Sequence, residues 1–337
     1  MADASVVSQL AALGIRPKKG LGQNFLVDPI HRSRIVAAAE LTAGDLVLEV
    51  GPGPGVLTDL IAEQAGRVIA VELDDRLIPF LRRRYADRPH VTIVHADILA
   101  VDVATLVQEA SSFQHPASGI RYKVVANLPY YVTSAAIRHL LEAPAPPDRL
   151  VLTVQREVAE RMVAQPPHMS LLALGVQFYC TGQIVARMPA GAFYPVPKVD
   201  SAVVRLDRRP APVAADVTAG QFFAVARAGF CQPRKQLRNS LAAGLSMAPS
   251  AVEAWLGAAG VDPKRRAELE KIASVCRSVP ENPARDIWEA MQAVAFMQLI
   301  IQNEWYKEYF KTLSKEDVRD VESDALNAHG EEEKVYE

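Results

Sequence analysis

Short apolar runs rich in β-branched residues alternate with amphipathic stretches over the first half of the chain. The stretches at 56–64, 75–85 and 134–141 carry apolar residues at helical spacing, whereas the runs between them have the length and composition of buried strands. Because parallel strands joined by helices form a sheet covered on both faces, this pattern predicts an α/β fold with a mostly parallel sheet. The strand-like runs are 46–50, 68–72, 91–94, 123–126 and 150–154.

Two later apolar runs, 183–187 and 201–206, lie on either side of the proline-rich segment 193–198. They predict an antiparallel pair at one edge of the sheet, which brings the sheet to seven strands. Residues 208–217, which contain prolines among small residues, are typical of a linker. After the linker only helical patterns occur, so a small α-helical domain is expected at 220–230, 236–243 and 250–259.

Four regions are therefore predicted. They are a flexible basic N-terminal segment at 1–20, a Rossmann-like domain at 21–208, an α-helical domain at 218–295 and an acidic C-terminal tail at 296–337. No internal repeat is visible.

The chain has a net charge of −2, but its charges are unevenly distributed along the sequence. Residues 297–337 contain 11 acidic and 5 basic side chains, a net charge of −6, so residues 1–296 carry +4. The basic residues of this body cluster at 16–19, 82–84 and 234–238. A mildly basic body with clustered charges is compatible with a nucleic-acid partner.

Composition excludes several other classes of protein. Half of the 337 residues are hydrophobic, which argues against global disorder. The three cysteines, Cys180, Cys231 and Cys276, are scattered and odd in number, which argues against a disulfide framework and against a structural zinc site. Neither a secretory signal nor an apolar run of ~18 residues is visible, so a cytoplasmic protein without a membrane span or a metal is expected.

A glycine turn, 51–55 (Gly-Pro-Gly-Pro-Gly), follows the first of these strands and precedes a helix. Glycines at this point let the backbone approach a ligand, although a tight turn without a ligand uses similar residues. Glu72 ends the next strand, where a carboxylate can accept both hydroxyls of a ribose. Asp97 follows the third strand and can accept from an adenine amino group, or simply cap a helix. These features do not separate an NAD site from an S-adenosylmethionine site.

The tetrapeptide Asn127-Leu128-Pro129-Tyr130 ends another strand and indicates a particular chemistry. The lone pair of an adenine N6 amino group is delocalised, so the nitrogen has to become tetrahedral before it attacks a methyl group. The Asn127 side-chain oxygen and the Leu128 carbonyl can each accept one N6 hydrogen, while Tyr130 stacks on the base. The alternative is a strand that ends in a proline turn beside a core tyrosine.

Together with these residues, three further segments carry a resemblance to a known family. Residues 19–26 (KGLGQNFL), 193–202 (FYPVPKVDSA) and 234–239 (RKQLRN) occur in the right order, and the similarity covers about residues 15–245. In these motifs the chain resembles the ribosomal RNA adenine N6-dimethyltransferases. The resemblance implies a class I S-adenosylmethionine-dependent methyltransferase fold, Rossmann-like and seven-stranded, with a small C-terminal helical domain. It also implies S-adenosyl-L-methionine as the cofactor.

The resemblance also implies roles for individual residues. Phe193 would cover the target base opposite Tyr130, because flipped or single-stranded bases are held by stacking. RNA phosphates would contact Arg234, Lys235 and Arg238, although a charged run on a helix is often only a solvated face. Contacts with the cofactor would come from Asn24, Leu26, Gly51, Gly53, Glu72, Asp97 and Asn127.

Within the family, the motifs are similar to those of the branch that dimethylates two adjacent adenines in the hairpin loop near the 3′ end of small-subunit (16S) ribosomal RNA. The expected partner is therefore the immature 30S subunit, and the expected state is a monomer. Two alternatives on the same fold remain: a large-subunit rRNA adenine methylase, and a non-catalytic RNA-binding factor for ribosome assembly or transcription. An NAD-dependent oxidoreductase would leave residues 127–130 and 193–198 without roles.

The resemblance fades from about Leu269 onward. Residues 295–311 have the pattern of an amphipathic helix, and 317–337 are acidic and poor in apolar residues. This tail is either a surface helix followed by disorder or an acidic segment that covers a basic RNA-binding face.

Overall fold

The computed structural model describes residues 6–111, 119–165, 168–210, 219–232, 234–258 and 262–264. The chain divides into two compact units, Met1–Val213 and Ala214–Glu337. This division falls within the predicted linker 208–217. The predicted helix at 295–311 and the acidic segment at 317–337 lie outside the described residues, so they stay predictions.

The first unit contains a seven-stranded sheet and a small two-stranded one. The strands are β1 (Phe25–Leu26), β2 (Leu46–Val50), β3 (Arg67–Glu72), β4 (Val91–His95), β5 (Lys123–Asn127), β6 (Arg149–Gln155), β7 (Cys180–Met188), β8 (Phe193–Tyr194) and β9 (Ser201–Arg208). The large sheet has the order β4-β3-β2-β5-β6-β9-β7, in which the five strands from β4 to β6 are parallel and β9 runs antiparallel between β6 and β7. The prediction of a mostly parallel sheet with an antiparallel pair at one edge is confirmed.

Helices connect the strands, and local sequence explains several of their ends. One helix begins where the Asp28 carboxylate caps two backbone N–H groups and proline occupies the first helical position. The helices are α1 (Val6–Ala12), α2 (Pro29–Ala39), α3 (Val56–Ala62), α4 (Ile78–Arg84), α5 (Val103–Ser111), α6 (Thr133–Leu141), α7 (Arg156–Met162), α8 (Leu171–Tyr179), α9 (Ala219–Phe230), α10 (Leu237–Gly244) and α11 (Pro249–Ala258). The helices of the first unit that the sequence pattern did not predict are α1, α2, α5, α7 and α8. None of the helices described is long and apolar enough to cross a membrane.

The core lies on both faces of the large sheet. Along β2, Val47 packs into one apolar cluster and Leu48 into the other, and Val125 and Val124 of β5 divide in the same way. Side chains of successive strand residues point to opposite faces, so a strand buried on both sides has to be apolar at nearly every position. This arrangement explains why the strands were visible as continuous apolar runs.

The N-terminal segment differs from the prediction that residues 1–20 are flexible. Residues Val6–Ala12 form α1, and Val6, Leu10 and Ile15 are buried in the core cluster of one sheet face. The first two are four residues apart and therefore lie on one side of the helix. The basic side chains that follow obscured this short amphipathic pattern.

The second unit, taken by itself, is helical in its described part. Gly244 at the end of α10 lies against Ala228 of α9, where an added Cβ would come within 2.5 Å of the Ala228 Cα. This close approach lets the two helices pack around Val225 and Leu241, which are buried. The helical character of this region agrees with the pattern in the sequence.

Candidate active site

A cavity of about 200 Å³ opens at the carboxyl edge of β2, β3, β4 and β5. In open α/β sheets this edge is where ligands bind. The cavity is lined on one side by the glycine turn and the ends of these strands, and on the other by residues 21–25 and 127–132. The lining residues are Leu21, Gly22, Gln23, Asn24, Phe25, Val50, Gly51, Gly53, Val71, Glu72, Leu73, Ala96, Asp97, Ile98, Leu99, Asn127, Leu128, Pro129, Tyr130, Tyr131 and Val132.

The glycine turn forms the floor of the cavity. Gly51 has a φ of +70°, in the left-handed region that favours glycine, and its N–H donates to the Val71 carbonyl at 2.9 Å. A Cβ at Gly51 would lie 3.9 Å from the backbone oxygen of Asn127. A glycine here therefore keeps the cavity floor open beside Asn127.

Glu72 is only 6% exposed, and backbone groups hold its carboxylate in place. Its Oε2 accepts from the Gly53 N–H at 3.0 Å, and its Oε1 accepts from the Asp74 N–H at 2.8 Å. Burial raises the pKa of Glu72, and these two backbone donors offset the rise only in part. Each carboxylate oxygen has a second lone pair, so Glu72 can still accept from a diol.

Asp97 lies on the same edge, one strand away from Glu72, and is exposed. Its Oδ1 accepts from the Leu99 N–H at 2.9 Å, which closes a turn immediately after β4. Ile98 and Leu99 also line the cavity, so an acidic acceptor lies beside an apolar wall. This combination suits a flat heterocycle that carries an amino group.

Asn127 ends β5 and connects the sheet to the N-terminal segment. Its Nδ2 donates to the backbone oxygen of Asn24 at 2.9 Å. Because the amide nitrogen is used in this contact, the side-chain oxygen is the group that Asn127 can offer to a ligand as an acceptor. Leu128 follows with its side chain buried and its N–H bonded to the Thr153 carbonyl at 3.3 Å, which fixes the start of the turn.

Two tyrosines complete this side of the cavity. Tyr130 is partly buried, and its hydroxyl lies 2.8 Å from Ser201 Oγ. Burial raises the pKa of Tyr130, so the hydroxyl stays neutral at physiological pH. Tyr131 is 52% exposed and lines the cavity, with its ring against Gly22. Sequence reasoning missed Tyr131, although its position directly after the tetrapeptide was a usable signal.

Leu26 and Phe193 do not lie at the cavity, in contrast to the sequence expectation. They are partners in the small antiparallel sheet of β1 and β8, and each is only 2% exposed. Because side chains alternate along a strand, Phe193 points into the core while Tyr194 points outward and is 38% exposed. In this conformation neither the Leu26 side chain nor the Phe193 ring reaches the cavity.

A buried carboxylate just before the glycine turn was also missed. Glu49 of β2 is 1% exposed, and burial raises its pKa to about 8, a shift that the neighbouring Thr58 hydroxyl only partly offsets. At neutral pH the side chain is therefore mostly protonated. Its place inside an apolar strand run gave no hint of this environment.

The basic residues of the second unit have two different environments. Arg234 and Lys235 are exposed before α10. Arg238 instead pairs with Glu253 of α11, at 2.9 Å between Nη1 and Oε2. The first two side chains can reach a phosphate, whereas Arg238 is engaged within the helical unit. Among the residues that the structure describes, no group of three or more His, Cys, Asp or Glu side chains could hold a metal ion.

Comparison with known proteins agrees with this geometry. A family model described as ribosomal RNA adenine dimethylase matches residues 14–282, which extends past the point near 269 where the resemblance was expected to fade. Ribosomal RNA small subunit methyltransferase A from Dehalococcoides mccartyi is 45% identical over 272 residues, covering 80% of this chain and 90% of the relative. The protein of that name from Pelotomaculum thermopropionicum is 43% identical over 273 residues, covering 79% and 92%.

The chain belongs to the ribosomal RNA adenine dimethylase family. Solved structures agree with the fold of this dimethylase. The 23S rRNA methyltransferase ErmE has a TM-score of 0.60 at 27% identity, covering 83% of this chain and 100% of its own. A dimethyladenosine transferase from Plasmodium falciparum has a TM-score of 0.59 at 23% identity, covering 85% and 98%, and supports the fold alone. The predicted family, the methyltransferase fold class and the identification as an rRNA adenine dimethyltransferase are confirmed.

Proposed function

We propose that this dimethylase transfers methyl groups from S-adenosyl-L-methionine to the N6 atoms of two adjacent adenines in the hairpin loop near the 3′ end of small-subunit (16S) ribosomal RNA. It acts as a monomer on the immature 30S subunit in the cytoplasm. One observation carries the proposal: the Asn127 amide is oriented by Asn24 in a cavity that also holds Tyr130, Glu72 and the glycine turn. The relatives named as small subunit methyltransferases support the choice of RNA.

The residues that line the cavity fit S-adenosylmethionine. Gly51 leaves open the space that a Cβ would fill beside Asn127, which suits the methionine part of the cofactor. Glu72 offers two oxygens to the ribose hydroxyls, and Asp97 with Ile98 offers an acceptor and an apolar wall to the adenine. The cofactor would be held by Asn24, Gly51, Gly53, Glu72, Asp97 and Asn127, and Leu26 could contribute only through its backbone. When bound, it supplies a methyl group on a positively charged sulfur.

The chain's own groups prepare the adenine for attack. Asn127 Oδ1 accepts one N6 hydrogen and the Leu128 carbonyl accepts the other, which favours a tetrahedral nitrogen with its lone pair toward the methyl group. Pro129 keeps the turn rigid, and Tyr130 stacks on the base with its hydroxyl held by Ser201. No base has to act first, since the N6 proton becomes acidic as the nitrogen becomes cationic. After the first transfer only one hydrogen remains, so a single acceptor serves the second round.

The opposite face of the base calls for a separate proposal. Phe193 is buried against the small sheet, so it would cover the base only if RNA binding brought its ring out of the core. If the ring stays in the core, Phe193 supports the small sheet of β1 and β8 and does not touch the base.

The basic residues of the second unit contact RNA in different ways. Arg234 and Lys235 bind phosphates, while Arg238 contributes mainly through its ion pair with Glu253.

The two alternatives on the same fold are less well supported. A non-catalytic assembly factor would have no use for an Asn127 amide oriented toward a cavity beside Glu72. A large-subunit methylase is represented among the structural neighbours, but at lower identity than the small-subunit relatives.

Transfer of labelled methyl groups from S-adenosylmethionine to immature 30S subunits tests the proposal. We expect incorporation by the wild-type chain into two adjacent adenines, and loss of at least a hundredfold in Asn127→Ala. The matched substrate control is a 30S particle in which both adenines are replaced by guanine, which should accept no label. Labelling of 50S subunits instead would show that the substrate assignment is wrong, and no labelling of either would favour the assembly factor.

A further inference from the structure

A segment that we call the N-terminal strap, residues 18–24, forms one wall of the cavity. Its backbone turns at Gly22, whose N–H donates to the Lys19 carbonyl at 2.8 Å. The Gln23 side chain closes the same turn, since its Oε1 accepts from the Lys18 N–H at 2.8 Å. Gly22, Gln23 and Asn24 line the cavity.

One carboxylate beneath the strap holds it to the sheet. The Asp74 side chain is fully buried, and its Oδ2 accepts from Gln23 Nε2 at 2.7 Å. Arg76 pairs with the same carboxylate, at 2.8 Å between Nε and Oδ1, and its Nη1 also donates to the Arg16 backbone oxygen at 3.1 Å. The Lys18 ammonium lies 3.8 Å from Asp74. Asp74 therefore accepts from Gln23 of the strap and from Arg76, and Arg76 also holds the backbone just before the strap at Arg16.

The charge of Asp74 is maintained although the side chain is buried. Burial by itself would raise the pKa of Asp74, but the Arg76 guanidinium and the Gln23 amide outweigh it and hold that pKa well below its usual range. A buried carboxylate with several donors is a rigid anchor, because breaking any of these contacts leaves a charge poorly satisfied. Asp74 does not itself line the cavity, unlike its neighbours Leu73 and Glu72.

Asp74 is connected to Asn127 on one side of the cavity and to Glu72 on the other. On one side, Gln23 is followed by Asn24, whose backbone oxygen accepts from the Asn127 amide. On the other, the backbone N–H of Asp74 donates to Glu72 Oε1. We propose that Asp74 is a positioning residue of the methyl transfer: through Gln23 it fixes the Asn24 carbonyl, which keeps the Asn127 side-chain oxygen directed at the target amino group.

The proposal rests on the proposed function, since it assigns Asp74 a role in that same reaction. It goes further because Asp74 lies in none of the sequence motifs that indicate the chemistry. Its neighbour Asp75 provides a natural contrast, with a side chain that is 74% exposed and a contact of only 4.0 Å with Lys18. Two adjacent carboxylates thus differ in burial and in their connection to Gln23.

Steady-state methylation with a double-mutant cycle tests the role of Asp74. Gln23→Ala and Asp74→Asn are each expected to lower kcat by about tenfold while the KM for S-adenosylmethionine changes less than threefold. Asp75→Asn, the matched control, should keep wild-type kcat. Asp74→Asn should retain more activity than Asp74→Ala, because Asn keeps an oxygen that can accept from Gln23.

The double-mutant cycle with Asn127 shows whether the loss of kcat in Gln23→Ala arises through the Asn127 side chain. If the strap acts through Asn127, adding Gln23→Ala to Asn127→Ala should lower kcat by less than twofold, whereas additive losses would overturn the proposal. Wild-type kcat in both Gln23→Ala and Asp74→Asn would overturn it as well. Hydrogen exchange of residues 18–24 checks that Gln23→Ala loosens the strap without unfolding the sheet. Inactivity of the wild-type chain would count against the proposed function rather than against the role of Asp74.

Discussion

Gly55, the last residue of the glycine turn, is expected to be intolerant of a side chain because of one neighbour, Tyr85. Gly55 has a φ of +87°, and an added Cβ would lie 2.4 Å from the Tyr85 hydroxyl. That hydroxyl donates to the Gly55 carbonyl at 2.9 Å and lies 3.0 Å from Asp59 Oδ1. In Gly55→Ala the tyrosine ring has to move away, and both of these contacts are lost.

The magnitude follows from these contacts. An alanine in the left-handed region costs about 1–2 kcal/mol. The Tyr85 hydroxyl has one proton to share between the Gly55 carbonyl and Asp59, so losing its contacts adds roughly 0.5–1.5 kcal/mol. The free energy of unfolding should therefore fall by about 1.5–3.5 kcal/mol in Gly55→Ala. In a Tyr85→Phe background the clashing oxygen is gone and the next ring atom lies 3.3 Å from the Cβ, so only the backbone cost of about 1–2 kcal/mol should remain.

Hydrogen exchange measured by mass spectrometry suits this cycle, because a chain with two units need not unfold in one step. The protection of Val56–Ala62 would be compared in the wild type, the two single variants and the double variant. Gly175→Ala is the control, since apart from its chain neighbours and its own helix backbone no atom lies within 4 Å of the added Cβ, and this variant should lose no stability. An equal cost of Gly55→Ala with and without the Tyr85 hydroxyl would show that the contact with Tyr85 contributes nothing to the intolerance of this position.

Three further outcomes are expected. The pKa of Glu49 in the folded chain, about 8, lies above its ordinary value of 4.5. Between these pH values the folded state therefore holds a proton that the unfolded state has released. The contribution of Glu49 to the stability of the first unit, measured by hydrogen exchange of β2 at each pH, should thus fall by up to about 1.4 kcal/mol per pH unit between about pH 4.5 and 8, and Glu49→Gln should remove that contribution. In single-turnover assays, Tyr130→Phe keeps the ring and should lose less than tenfold in rate, whereas Tyr130→Ala loses base stacking of about 1–3 kcal/mol, roughly 5- to 150-fold. In RNA-binding titrations, Arg234→Ala should lower the salt dependence of affinity by about one counterion, whereas Arg238→Ala, which breaks the pair with Glu253, should mainly lower stability.

The strands could be predicted because burial on both faces leaves an unbroken apolar run, as in β2 and β5. Several helices were harder to see, since α8 (LLALGVQFY) is apolar on most sides and shows little periodicity. In the site, Gly51, Glu72 and Asn127 were found because each lies at the carboxyl end of a strand or directly after it, and such positions meet at one edge of a parallel sheet. The inward direction of Phe193 could not be inferred, because it depends on the pairing of β8 with a two-residue strand far away in the sequence.

The N-terminal strap, like Phe193, is placed by contacts between residues that are far apart in the sequence. The strap contributes a cavity wall, yet its hydrogen bonds to Asp74 and Asn127 join residues that are 51 and 103 positions apart in the sequence. The strap is anchored at Asp74 but lies outside the large sheet, so it opens more readily than β2, and a ligand that binds only its closed form stabilises it by mass action. Cofactor binding should therefore increase the hydrogen-exchange protection of residues 18–24 more than that of β2, where the wall is already fixed by the sheet. An equal increase in protection of both segments would mean that the strap is held as firmly as the strands before the cofactor binds.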